Sequence, residues 1–117
     1  VAEARTWLTR YEAQGGEEAE PLYQLGELLA KEGDVSAAHT LYRRAHDALE
    51  RHPTVDTTYD ALLANVLVRL DARDEARRVF ERLLAVHPSL DHVRADYGAA
   101  LLAWGDYDRA RTWLQIP

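Results

Sequence analysis

The sequence predicts an all-α chain of about seven short helices with antiparallel neighbours. Three observations carry that reading. Apolar residues recur with a period near 3.6: Leu22, Leu25, Leu28 and Leu29 share one helical face, as do Leu63, Leu67 and Leu70, and then Tyr97, Leu101 and Leu102. No stretch alternates convincingly with period 2, so no strand is expected. The pentapeptide ARTWL occurs at 4–8 and again at 110–114, 106 residues apart, which points to internal repetition.

Breaks fall at Gly15-Gly16, Gly33-Asp34, His52-Pro53, Leu70-Asp71, His87-Pro88 and Gly105-Asp106. The first helix, 2–13, carries the first ARTWL and stops at the glycine pair. The second, 20–32, has Pro21 in its first turn, where no N–H bond is lost, and ends at Gly33, which can take the left-handed conformation. Asp34 can cap the third, 35–51. The fourth and fifth, 57–70 and 73–86, meet at Asp71, where glycine is missing and the boundary is least marked. Ser89 can cap the sixth, 90–104, which ends at Gly105, and Asp106 can cap the seventh, 107–115, with the second ARTWL. Connections this short permit only antiparallel neighbours.

The 117 residues suit one domain, and 47% hydrophobic with 29% charged residues argues against disorder. No apolar run approaches a membrane span, so no direct membrane insertion is expected. No secretory n-region and h-region are visible, although the chain begins at Val1 rather than methionine. A net charge of −6 disfavours nucleic acid. Thirteen arginines against the single Lys31 read as coding bias. Absence of cysteine excludes disulfides and thiolate chemistry without deciding between cytoplasm and bacterial periplasm.

Ala4, Ala38, Ala76 and Ala110 lie 34, 38 and 34 residues apart, so the two ARTWL copies are one helix seen three repeats apart. Small residues recur in the intervening helices at Gly26, Ala64 and Gly98. With the large residues Leu29, Leu67 and Leu101 and the aromatics Tyr42 and Phe80, the chain resembles the tetratricopeptide repeat (TPR) family, whose unit is helix A, turn, helix B over 34 residues. The runs LGELLAKEGDVSAAHTLYRRA and YGAALLAWGDYDRARTWL carry the resemblance best. The family's helix A tryptophan is absent, with Leu22, Asp60 and Arg94 in its place. Three of the four extra residues in the 38-residue gap lie between Ala38 and Pro53, which adds about one turn to that B helix.

The resemblance implies a right-handed α-α superhelix of stacked antiparallel helix pairs. Its expected repeats are the end of a preceding one at 1–18, then 19–56, 57–90 and a partial one at 91–117, as in a fragment of a longer protein. It also implies a protein–protein interaction scaffold that binds a neutral-to-basic peptide or helix on its concave face. By position, that face carries Tyr23, Glu27 and Lys31, then Ala61, Asn65, Val68 and Arg69, then His92, Ala95, Ala99 and Leu102. The family's chaperone-carboxylate subtype places lysine and asparagine where Tyr23 and Glu27 stand, and lysine and arginine where His92 and Asp96 stand; two acids there would repel a carboxylate. End-to-end self-association through uncapped terminal helices is an alternative. An RNA-binding helical repeat is another, opposed by the acidic charge.

No catalytic signature is present, no cofactor is implied, and an enzyme is not expected. The carboxylates of the GGEEAE loop belong on a solvated surface. His39 with His46 lacks a third ligand at useful spacing, and His87, Asp91 and His92 around one loop are the better but unfavoured metal candidate. Trp7 and Trp113 are expected to fill space between helix layers, and Trp104 to touch the following repeat.

Overall fold

The computed structural model describes residues 3–53 and 56–114. Seven α-helices and no strand occur among them: α1 (Glu3–Ala13), α2 (Ala19–Lys31), α3 (Val35–Arg51), α4 (Thr57–Arg69), α5 (Arg73–Val86), α6 (Asp91–Ala103) and α7 (Tyr107–Leu114). Each described boundary falls within one residue of its expected place, and the expected ends at 2 and 115 lie outside the described residues.

The chain divides into two compact units, Val1–Thr54 and Val55–Pro117. In the first, α1 packs on α2 and α2 pairs with α3. In the second, α4 pairs with α5 and α6 with α7, while α6 also meets α5 and α4. Leu22, Leu29, Leu41 and Tyr42 are buried in the first unit. Phe80, Tyr97, Leu84 and Leu101 centre the core of the second.

The recurrent small residues are where helices touch. Ala4, Ala38, Ala76 and Ala110 are all at most 1% exposed. A Cβ on Gly26 would stand 2.8 Å from Cε1 of Tyr42, and one on Gly98 would stand 2.3 Å from Cδ2 of Leu114. Bare backbone at these points admits a large side chain from the facing helix.

Three turns share one geometry. The Gly33 and Asp34 N–H groups donate to the Ala30 and Leu29 carbonyls at 3.0 and 2.8 Å, closing a Schellman motif. Asp71 and Ala72 repeat the pattern on Val68 and Leu67, and Gly105 and Asp106 on Leu102 and Leu101. Gly33, Asp71 and Gly105 have φ of +93°, +59° and +79°. Asp34 and Asp106 also cap the following helices, accepting from Ala37 N–H at 3.2 Å and Arg109 N–H at 3.4 Å. Ala72 has no side chain to do so.

At 17 residues α3 exceeds α5, with 14, by about one turn, as the repeat spacing requires. From α3, Arg44 reaches Glu12 at 2.7 Å and Glu17 at 3.0 Å, tying down α1 and the loop after it. Burial opposes the Arg44 charge, but these two carboxylates outweigh it and raise its pKa. Gly16 in that loop lies under the Tyr11 ring, whose hydroxyl accepts the Glu18 N–H at 2.7 Å.

Two expectations are corrected, those for Ser89 and Trp7. Ser89 does not cap α6: the helix starts one residue later, Leu90 is the N-cap, and no side chain caps it. Trp7 does not fill an interlayer space; it is 49% exposed, with the Arg10 guanidinium 5.3 Å from its ring centroid. Trp104 turns back to α5, with Arg77 and Arg73 at 5.1 and 5.8 Å from its ring. Trp113 does pack inward, 5.7 Å from the Tyr97 ring.

Candidate partner-binding face

Eight of the residues expected on the binding face belong to the second unit. On α6, His92, Ala95, Ala99 and Leu102 are all exposed, at spacings of 3, 4 and 3 that put them on one helical face. They are free to face outward because Val93, Tyr97, Ala100 and Leu101 supply the buried side of the same helix. On α4 the surface is narrower than expected. Ala61 and Val68 are partly buried against the core, so they floor the face rather than project from it. Arg69 is exposed at the end of α4.

Asn65 was expected on the binding face. Its Nδ2 instead donates to the Ala61 carbonyl at 3.0 Å and to Asp96 Oδ2 at 3.1 Å. Both amide protons are therefore engaged within the molecule, and Asn65 pins α4 to α6. Sequence reading noted Asp96 only as an acid unfavourable to carboxylates. Its partner lies 31 residues away, beyond any local signal.

Tyr23, Glu27 and Lys31 lie on α2 in the first unit. Lys31 is exposed. Glu27 is not a free surface charge: it accepts from Tyr23 Oη at 3.2 Å on one oxygen and from Tyr42 Oη on the other. The two rings lie 5.9 Å apart. The carboxylate thus holds the α2–α3 crossing.

Two hollows meet along α2. One of about 620 Å³ is lined by Gln24, Glu27, Leu28, Ala30 and Lys31. The other, of about 310 Å³, is lined by Trp7, Tyr11, Pro21, Gln24, Leu25 and Leu28. Leu28 was expected on the buried face and is 44% exposed between them. Trp7 and Leu28 are thus surface residues that sequence reading missed. The available signal was Leu28 beside Leu29, one leucine more than a single buried stripe needs.

Among the described residues, His46, Asp47 and Glu50 alone gather three candidate metal-ligand atoms within 4.8 Å, so His87, Asp91 and His92 do not form such a group. Burial first, and then the hydrogen bond to Glu81, push the Tyr97 hydroxyl well above its ordinary pKa. That group lies in the core, away from the exposed face of α6. Among the described residues no helix is long and apolar enough to cross a membrane. Comparisons with protein-family models, with curated proteins and with solved structures find no match to this chain.

Proposed function

We propose that this chain is a protein–protein interaction module, a TPR-like array whose A helices (α2, α4 and α6) line the concave face of a right-handed superhelix and receive a partner's helix or extended segment. The observation that carries this reading is the exposed row of Ala95, Ala99 and Leu102 on α6, beside the α4 floor of Ala61 and Val68. Small side chains there leave space for bulky groups of a partner, which gain by leaving water. The net charge of −6 favours a neutral-to-basic ligand.

Selection of helical and extended peptides from a displayed library against the parent chain tests the reading. Selected ligands should be neutral to basic, weaken as salt rises, and lose at least about tenfold in affinity against Ala99→Trp. Circular dichroism should show that variant folded, because position 99 is exposed. Ligands that bind Ala99→Trp as they bind the parent overturn the proposal. Glu27→Lys is a poor probe, since it also removes the acceptor of two tyrosine hydroxyls.

A further inference from the structure

Among the described residues, one group of metal-ligating side chains gathers outside the candidate face, on the C-terminal turns of α3. His46 Nδ1 lies 3.3 Å from a Glu50 carboxylate oxygen. Asp47 brings a third ligand atom, and all three lie within 4.8 Å of one another. The helix period allows this, since Glu50 follows His46 by four residues and Asp47 by three.

The equivalent turn of α5 serves as an internal control. Counted from Ala38 and Ala76, the positions of His46, Asp47 and Glu50 hold Leu84, Ala85 and Pro88 there. Leu84 is 1% exposed in the core of its unit, whereas the His46 side chain is 23% exposed. An imidazole thus replaces a core leucine on the helix that is one turn longer. Without a ligand the arrangement is unfavourable. Both carboxylates stand near the C-terminal end of α3, where the helix dipole already places negative charge. Histidine precedes glutamate, the weaker order for a pair four residues apart. Among the described residues no ion pair reaches Asp47, although Arg43 and Arg51 stand one turn to either side.

We infer that His46, Asp47 and Glu50 form a binding site for a divalent transition-metal ion, with zinc as the member that fits. A cation there offsets the dipole, relieves the repulsion between the two acids and engages the idle carboxylate. A tetrahedral ion holding nitrogen and oxygen at about 2.0–2.2 Å separates adjacent ligand atoms by about 3.3–3.6 Å. The distance between His46 and Glu50 already has that value. The imidazole selects against magnesium and calcium, which take oxygen ligands. Three protein ligands leave one position open to water. Bound there, the ion ties the last turns of α3 together and couples metal supply to the stability of this helix.

Calorimetric titration of the full chain with zinc chloride provides the test. The parent should take up one equivalent with sub-millimolar affinity. His46→Gln and Glu50→Gln should each weaken uptake at least about tenfold. Asp47→Asn should weaken it too, and His39→Gln should leave it unchanged. Glu50 and Asp47 are exposed, so their variants should fold. Zinc should raise the unfolding temperature of the parent and not that of Glu50→Gln. A millimolar background of magnesium should not displace the ion. A parent that shows no saturable uptake overturns the inference. So does uptake that persists in both His46→Gln and Glu50→Gln, or that magnesium abolishes.

Discussion

In the first unit Gly26 faces the ring of Tyr42; in the second, Ala64 and Phe80 occupy the equivalent positions, and all four are buried. The second crossing holds a methyl where the first has bare backbone against the edge of the Tyr42 ring. The hydroxyls also pin different things. Tyr42 donates to Glu27 within its own helix pair, α2 and α3. Tyr97, on α6, donates to Glu81 on α5, and its ring stacks on Phe80 at 4.8 Å. The first unit thus fastens a hairpin, and the second fastens consecutive hairpins. Equivalent positions keep a small residue against an aromatic ring while the polar link moves.

The largest expected effect separates the two crossings. Phe80→Ala empties a fully buried site and removes the surface on which Tyr97 stacks, which should cost about 3–5 kcal/mol in urea unfolding. Gly26→Ala should cost less, about 1–2 kcal/mol, because the buried Tyr42 ring must shift while the helix gains from alanine. A stabilised Gly26→Ala protein would show that the ring yields freely and that the close approach is not a constraint.

Tyr97→Phe should cost about 1–2 kcal/mol at neutral pH through the lost bond to the Glu81 carboxylate. The same substitution tests pH dependence. The unfolded chain ionises this hydroxyl near the ordinary tyrosine value of about 10, whereas the native state ionises it only at higher pH. Its contribution is therefore fully present below about pH 10 and is lost as pH rises through the native value. Between those points the parent should lose stability with pH more steeply than Tyr97→Phe. Equal slopes would show that the hydroxyl is not held neutral.

Helix spans were legible because their determinants are local. Gly33, Gly105, Asp34 and Asp106 act on backbone within five residues, and the 3.6-residue period marks the buried face. The buried alanines were legible because repetition reported them four times. The candidate face was legible only in part. His92, Ala95 and Ala99 are exposed, and so is Leu102, which the apolar period had also grouped with the buried Tyr97 and Leu101. The engagement of Glu27 by Tyr42 and of Asn65 by Asp96 was not, since each depends on a residue of another helix. The exposure of Trp7 and Leu28 was not legible either, since the 3.6-residue period places Leu28 with the buried leucines of its helix. Ser89 shows the limit at single-residue scale, where a helix starting one position later removes a cap.

The smallest expected effects sharpen the comparison at the turns. Gly33-Asp34 in the first unit combines a left-handed residue without a Cβ and a capping carboxylate. Asp71-Ala72 in the second has neither, yet it closes the same two backbone bonds. Asp71 is therefore held left-handed by those bonds at a cost that glycine avoids. Asp71→Gly should stabilise by about 0.5–1 kcal/mol, reduced by the loss of the exposed pair with Arg73 at 2.7 Å and by the greater freedom of unfolded glycine. Ala72→Asp should add about 1 kcal/mol by capping α5, as Asp34 caps α3. Asp34→Ala should lose a similar amount, together with the pair to Arg5. Urea midpoints of the singles and of the Asp71→Gly, Ala72→Asp double check this, with the double above either single. If Asp71→Gly lowers the midpoint, the aspartate is favourable where it stands, and its bond to Arg73 outweighs the strain of the left-handed turn.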